Sequence, residues 1–96
     1  EIVDLDRVGE QLEVRTRRPG DRFVPLGLGA PTKLKDFLIN ARVPREERDR
    51  TLLVVGASGI AWVVGLRLDD RVKITPATRR LARLRAGRLA RISRRP

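Results

Sequence analysis

The chain has 96 residues, 22 of them lysine or arginine against 12 aspartates and glutamates, for a formal net charge of +10. It has no histidine, cysteine or methionine, and its aromatics are Phe23, Phe37 and Trp62. That length makes one small domain, and without histidine and cysteine there are no disulfides, no thiolate or imidazole metal ligands and no histidine-based catalytic triad.

In chain order, Ile2, Val3 and Leu5 before Gly9 suggest a short strand, paired through a turn at residues 7–10 with the next one. Residues 11–18 alternate Leu12, Val14 and Thr16 with Glu13, Arg15 and Arg17, as in a half-buried strand that displays Arg15 and Arg17 side by side. Pro19-Gly20-Asp21 ends it in a tight turn, and the glycine- and proline-rich run 25–31 reads as an irregular loop. Thr32 is placed to N-cap a helix over residues 33–42, whose Leu34, Phe37, Leu38 and Ala41 fall at i, i+3, i+4 and i+7, with Lys35, Ile39 and Arg42 opposite. Pro44 ends that helix and opens a short helical turn carrying Arg45 and Arg48 three residues apart. Residues 51–55 and 60–64 flank Gly56-Ala57-Ser58-Gly59, a hairpin with β-branched residues on both arms. Val72 and Ile74 alternate with basic residues and predict a further strand over 71–75. The class expected is α+β, a small mixed β-sandwich-like domain with one main helix packed on the sheet.

The 16-residue charge-free run 51–66 is broken by the Gly56–Gly59 turn, which is wrong for a spanning helix. The acidic amino end shows no secretory or transit signal, and a start without methionine reads as a piece of a longer protein. Residues 1–70 hold 12 basic and 12 acidic groups, and residues 71–96 hold 10 basic and none acidic. The expected organisation is therefore a domain over 1–78 and an arginine-rich, flexible tail over 79–96, where the spacing of Leu81, Leu84, Leu89 and Ile92 is equally compatible with a basic amphipathic helix and with a strand over Leu81 to Arg85 followed by a frayed end. Such a tail suits a polyanion, nucleic acid before an anionic membrane surface. Residues 15–50 hold a second excess, ten basic groups against five acidic, among ordered-looking elements.

The residues offer little chemistry. The acidic pairs Asp4/Asp6, Glu46/Glu47 and Asp69/Asp70 lack further ligands nearby and read as surface or arginine partners rather than a metal site. Ser58 has no base, and Gly27, Gly29 and Lys33 lack the Walker spacing of a nucleotide loop. A helix start beside Lys33 and Lys35 does suit one backbone phosphate. Trp62, Phe23 and Phe37 read as core, so duplex recognition through phosphates is favoured over base stacking. Guanidinium groups suit that task because their planar fork grips phosphate oxygens in pairs.

The ordered basic segment reads Arg15-Thr16-Arg17-Arg18-Pro19-Gly20-Asp21-Arg22-Phe23-Val24-Pro25-Leu26-Gly27, then Lys33-Leu34-Lys35-Asp36-Phe37-Leu38-Ile39-Asn40-Ala41-Arg42-Val43-Pro44-Arg45 and Arg48-Asp49, with Ile60-Ala61-Trp62-Val63-Val64-Gly65 and Arg67 beyond. This closely resembles the C-terminal domain of bacterial tRNA(Ile)-lysidine synthetase over residues 12 to about 75. It departs at Thr32-Lys33, where the family often has two lysines, and at Val64, where proline is common. The resemblance implies a small β-sandwich with a packed helix, similar to one in the β subunit of phenylalanyl-tRNA synthetase. It also implies a part in a cytoplasmic tRNA-modifying ligase, which uses ATP, with magnesium, to adenylate the wobble cytidine of a minor isoleucine tRNA before lysine is attached. That chemistry belongs to an N-terminal domain, so no catalytic residue, metal or cofactor is expected in this chain. Its expected partners are tRNA(Ile), gripped at the acceptor stem, and the N-terminal domains of the same enzyme, with no membrane. The candidate tRNA-binding face is Arg15, Arg17, Arg22, Lys33, Lys35, Arg42, Arg45 and Arg48, of which Arg22 has an alternative reading as a structural partner of Asp21 or Asp36, and Arg15 as a partner of Glu13 or another acid. A general RNA- or DNA-binding module and a structural interdomain scaffold are the other readings.

Overall fold

The computed structural model describes residues 1–87 of the chain. In chain order these form β1 (Ile2–Asp4), α1 (Leu5–Val8), β2 (Glu13–Arg15), β3 (Arg22–Phe23), β4 (Thr32–Lys33), α2 (Leu34–Asn40), α3 (Arg45–Arg48), β5 (Leu53–Gly56), β6 (Gly59–Val63), β7 (Arg67–Leu68), a 3-10 turn (Asp70–Val72) and β8 (Leu81–Arg83). The expected hairpin is β5–β6, closed by Ala57 and Ser58, and it is the middle of an antiparallel sheet ordered β2-β5-β6-β7. Two small antiparallel pairs, β3–β4 and β1–β8, complete the architecture, which is α+β as expected.

Both faces of the central sheet are covered. On one, Leu53, Ile60 and Val63 pack against Phe23 of β3 and against Leu34, Phe37 and Leu38 of α2. Phe23 and Phe37 meet edge to face with centroids 5.0 Å apart. On the other, Val54, Ala61, Trp62 and Leu68 pack against Val3, Val8, Val72 and Leu84. Strict alternation would send Ala61 and Trp62 to opposite faces. The register shift between Val54 and Val55 sets both on the second face, as a bulge does by opposing two residues to one. Burying a leucine such as Leu38 or Leu53 fully is worth about 2 kcal/mol, so two such layers hold the sheet rigidly.

Several expectations are corrected. β1 pairs with β8, not with β2, because the Asp4 carboxylate accepts the Arg7 N–H and turns the chain at once into α1. The Val8 carbonyl at the end of α1 accepts the Ala57 N–H at 2.8 Å, an approach that only glycine at position 56 permits, since a Cβ there would collide with that carbonyl. The expected strand at 71–75 is a 3-10 turn, begun by the Asp69 carboxylate, which accepts the Arg71 N–H at 2.7 Å. Ile74 there is half exposed, while Val72 is buried. Thr32 is not an N-cap: it belongs to β4, and the helix begins at Leu34, whose N–H goes to the Asp21 carbonyl at 2.9 Å. The helix also ends earlier, at Asn40. The N–H groups of Arg42 and Val43 return to the carbonyls of Ile39 and Leu38, a Schellman closure with Arg42 at φ 61° where glycine is usual.

The face of β2 is inverted relative to the alternation. Val14 is 62% exposed, and Arg15 is drawn inward by a carboxylate that the periodicity does not reveal. The stretch assigned to the tail begins as structure: β8 pairs with β1, and Leu84 is buried in the second core. Arg80 there pairs with Asp6 and Glu10. The remainder of the expected tail, 88–96, lies outside the described residues.

Candidate functional site

The basic site is built on the turn after β2. Gly20 takes φ 86°, the positive value that this turn demands, and the Asp21 N–H closes on the Arg18 carbonyl at 3.1 Å. The Asp21 carboxylate accepts both terminal nitrogens of Arg15, at 2.9 and 3.0 Å, and the Arg18 N–H at 2.8 Å. The paired guanidinium holds this carboxyl below the ordinary aspartate range against the opposing effect of burial, and the carboxylate in turn raises Arg15. Because the Asp21 carbonyl also takes the Leu34 N–H, one residue ties β2, the turn and the start of α2 together.

Between that turn and α2 lies a groove lined by Arg17, Arg18, Asp21, Lys33, Lys35 and Asp49. Lys33 and Lys35 are exposed and form no ion pair among the described residues. Arg22, likewise exposed and unpaired among them, stands directly opposite Lys33 across the β3–β4 register. Arg18 lies 3.7 Å from Glu13, both side chains being well exposed, so that bridge exchanges readily for another anion. Arg17 donates its Nε to Asp49 at 2.8 Å, which leaves its two terminal nitrogens unspent. The outcome is a concentration of uncompensated cations about a groove that the core holds in shape.

The groove gathers only some of the eight expected site residues. Arg17, Lys33 and Lys35 line the groove and Arg22 adjoins it. Arg15 is only 15% exposed at its side chain and is consumed by Asp21, so it builds the site without facing a ligand. Arg48 donates its Nε to the Val43 carbonyl at 3.0 Å and braces the link from α2 to α3. Arg42 and Arg45 are exposed but do not line the groove. At the expected phosphate seat on the start of α2, the Leu34 N–H is already taken by the Asp21 carbonyl, and α2 has only seven residues.

Sequence reasoning missed three contributors, Arg18, Asp21 and Asp49. Asp21 had a readable signal, an aspartate closing a Pro-Gly turn with arginines three and six residues earlier. Asp49 had none, since it meets Arg17 across 32 residues of sequence. Two of the three acidic pairs find partners in the chain itself: Asp69 is fully buried and accepts from the Val24 N–H and from Arg71, and Asp4 accepts from the Thr78 hydroxyl at 2.8 Å, which lowers its pKa. Among the described residues no three acidic side chains gather as metal ligands, and no helix is long and apolar enough to cross a membrane. All three aromatics are buried, which leaves no ring on the surface to stack on a base.

Comparison with known proteins agrees with this architecture. The profile of the family described as "TilS substrate C-terminal domain" matches residues 12–86. The chain is 40% identical over 82 residues to the tRNA(Ile)-lysidine synthase of Dehalococcoides mccartyi, covering 85% of this chain and 17% of that protein. It is 43% identical over 82 residues to the enzyme of the same name from Symbiobacterium thermophilum, with the same shares. A crystal structure described as that of the TILS C-terminal domain superposes with a TM-score of 0.70 at 42% identity, covering 83% of this chain and 62% of that one. The chain thus spans about a sixth of the length of these curated relatives.

Proposed function

The chain belongs to the TilS substrate C-terminal domain family, and from that premise we propose that its groove grips the acceptor-stem duplex of an isoleucine tRNA. The observation that carries this reading is the Arg22–Lys33 pair. Two like charges directly opposite on adjacent strands repel, and with Lys35 and Arg17 beside them they are worth their cost where a polyanion supplies the missing counter-charge. Phosphates fit that role. The free nitrogens of Arg17 offer a planar fork to phosphate oxygens, while the lysines act as point charges. Arg42 and Arg45 extend the positive potential without lining the groove. Buried aromatics favour a paired stem over unstacked bases.

In this reading the domain is a noncatalytic grip. ATP, its magnesium and the carbon–nitrogen bond to lysine are the work of the N-terminal domains of the longer, cytoplasmic enzyme. The residues of this chain do not fit a nucleotide: they lack Walker spacing and an acidic cluster among the described residues. Holding the stem at a distance from the reacting anticodon loop adds binding energy and orientation, not a proton or a nucleophile.

The test is affinity against salt. With Arg17, Arg18, Arg22, Lys33 and Lys35 each neutralising a phosphate, log affinity falls against log salt with a slope of about −4 to −5. A flat response points to a scaffold and overturns the reading. Equal competition by isoleucine tRNA and unrelated tRNAs reduces it to general nucleic-acid binding.

A further inference from the structure

We infer that Asp49 accepts a hydrogen bond from a ribose 2′-hydroxyl of the bound duplex and so makes the groove selective for RNA, an inference that rests on the tRNA-binding reading above. Asp49 lines the groove with its side chain 78% exposed. Its Oδ1 accepts the Arg17 Nε at 2.8 Å, and its Oδ2 accepts nothing among the described residues. The second carboxylate there, Asp21, is not equivalent, because both its oxygens are occupied by Arg15 and the Arg18 N–H.

A free carboxylate is out of place in a groove built for phosphate. At roughly 6 Å in water, repulsion between two unit charges lowers affinity about threefold. Stability gives no reason to keep it, because an exposed ion pair contributes little to folding. A ligand that offers a donor beside its phosphate removes the conflict. Arg17 and Asp49 together present such a pattern: terminal guanidinium nitrogens that donate, next to an oxygen that only accepts. In an A-form duplex the ribose hydroxyl lies near the phosphate and is exposed on the wide minor groove, whereas DNA lacks it. The pair is held in place from two sides, Arg17 by the turn after β2 and Asp49 by the last turn of α3, whose C-cap it is.

The experiment compares binding of this chain to an RNA hairpin stem and to the same hairpin with 2′-fluoro riboses, which keep the A-form but carry no donor. The wild-type chain is expected to prefer the hydroxylated stem about fivefold, the worth of one ordinary hydrogen bond, since solvent at this exposed carboxylate screens the gain from its charge. Asp49→Asn keeps an amide oxygen for Arg17 but replaces the free acceptor with an N–H. Its preference is expected to shrink, because the ribose oxygen then accepts only a neutral amide N–H, with affinity for the fluorinated stem rising about threefold as the repulsion disappears. Asp49→Ala loses the preference and in addition releases Arg17. Equal wild-type affinity for the two stems overturns the inference. So does an Asp49→Ala variant that keeps the preference, or an Asp49→Asn variant that weakens both stems by the same factor, which would make Asp49 merely a support for Arg17. A chain that binds neither stem fails at the earlier step, the tRNA-binding reading itself.

Discussion

Neutralising Arg22, Lys33 and Lys35 together separates binding from folding, because their charges have no internal partner among the described residues. In Arg22→Gln/Lys33→Gln/Lys35→Gln, the side chains keep most of their length, and Gln at position 35 costs nothing appreciable in helix propensity. Removing the cross-strand repulsion between positions 22 and 33 stabilises by roughly 0.2–1 kcal/mol, so the variant is expected to unfold at the same urea concentration as the wild type or a slightly higher one. Binding moves the other way. Five neutralised phosphates give a salt slope of about −4.5 and two give about −1.8, taking about 0.9 per contact for a duplex. Raising salt from about 50 to about 200 mM then weakens the wild type about 500-fold and the variant about tenfold. Fluorescence anisotropy with a labelled acceptor-stem hairpin, across that range, measures both slopes. An unchanged slope in a folded variant would show that these three cations do not meet phosphate, and the groove would lose its basis.

Four further outcomes follow from the packing. Asp21→Ala leaves the half-buried Arg15 guanidinium without its partner and the turn without its lock, at a cost of about 2–3 kcal/mol in urea unfolding. The wild-type pairing also has a pH signature: the folded pKa of Asp21 is lowered, so its stabilisation is complete above the unfolded value of about 4 and is lost as pH falls through the folded value, a limb that Asp21→Asn flattens. Gly56→Ala puts a methyl against the Val8 carbonyl and is expected to destabilise by at least 2 kcal/mol, read by the thermal midpoint; a shift within error would deny the close approach of α1 to β5. Arg42→Gly relieves a left-handed arginine at the end of α2 and should stabilise by about 0.5–1 kcal/mol, and a lower midpoint would mean that the Arg42 side chain contributes to the fold.

Local signals in the sequence reached the parts of the fold that local forces decide. The β5–β6 hairpin, the buried face of α2 and the turn at Gly20 follow from branching, periodicity and a positive φ, each set within a few residues. The pairing of β1 with β8 was not legible, because its two strands lie at opposite ends of the described chain and β8 sits in a run of like charge that argues for disorder. The misreading of Arg15 is more instructive. Alternation assigned it to the open face with Arg17, and the residue that decides its direction, Asp21, belongs to the next element and counts in a hydrophobicity pattern only as a polar turn residue. Likewise Lys33 and Lys35 were legible as cations, but their convergence with Arg17 depends on the Leu34 N–H reaching the Asp21 carbonyl.

In a chain where arginine outnumbers lysine 19 to 3, net charge alone therefore cannot locate a binding surface. A guanidinium has enough donors to act as a brace, and here Arg15, Arg48 and Arg71 do so against a carboxylate or a backbone carbonyl. Two of the three lysines, Lys33 and Lys35, fall at the groove, although an ammonium makes the poorer brace and is the more strongly hydrated ion. The division is physically coherent. The Arg15 fork holds the turn, and two flexible, well-hydrated charges stand on the backbone it fixes, which under the proposed function leaves them free to follow phosphates whose spacing varies little with sequence. Under that proposal, specificity has to come from whatever in the groove is not a cation, and among the described residues that line it the only carboxylate oxygen that accepts no hydrogen bond is the Oδ2 of Asp49.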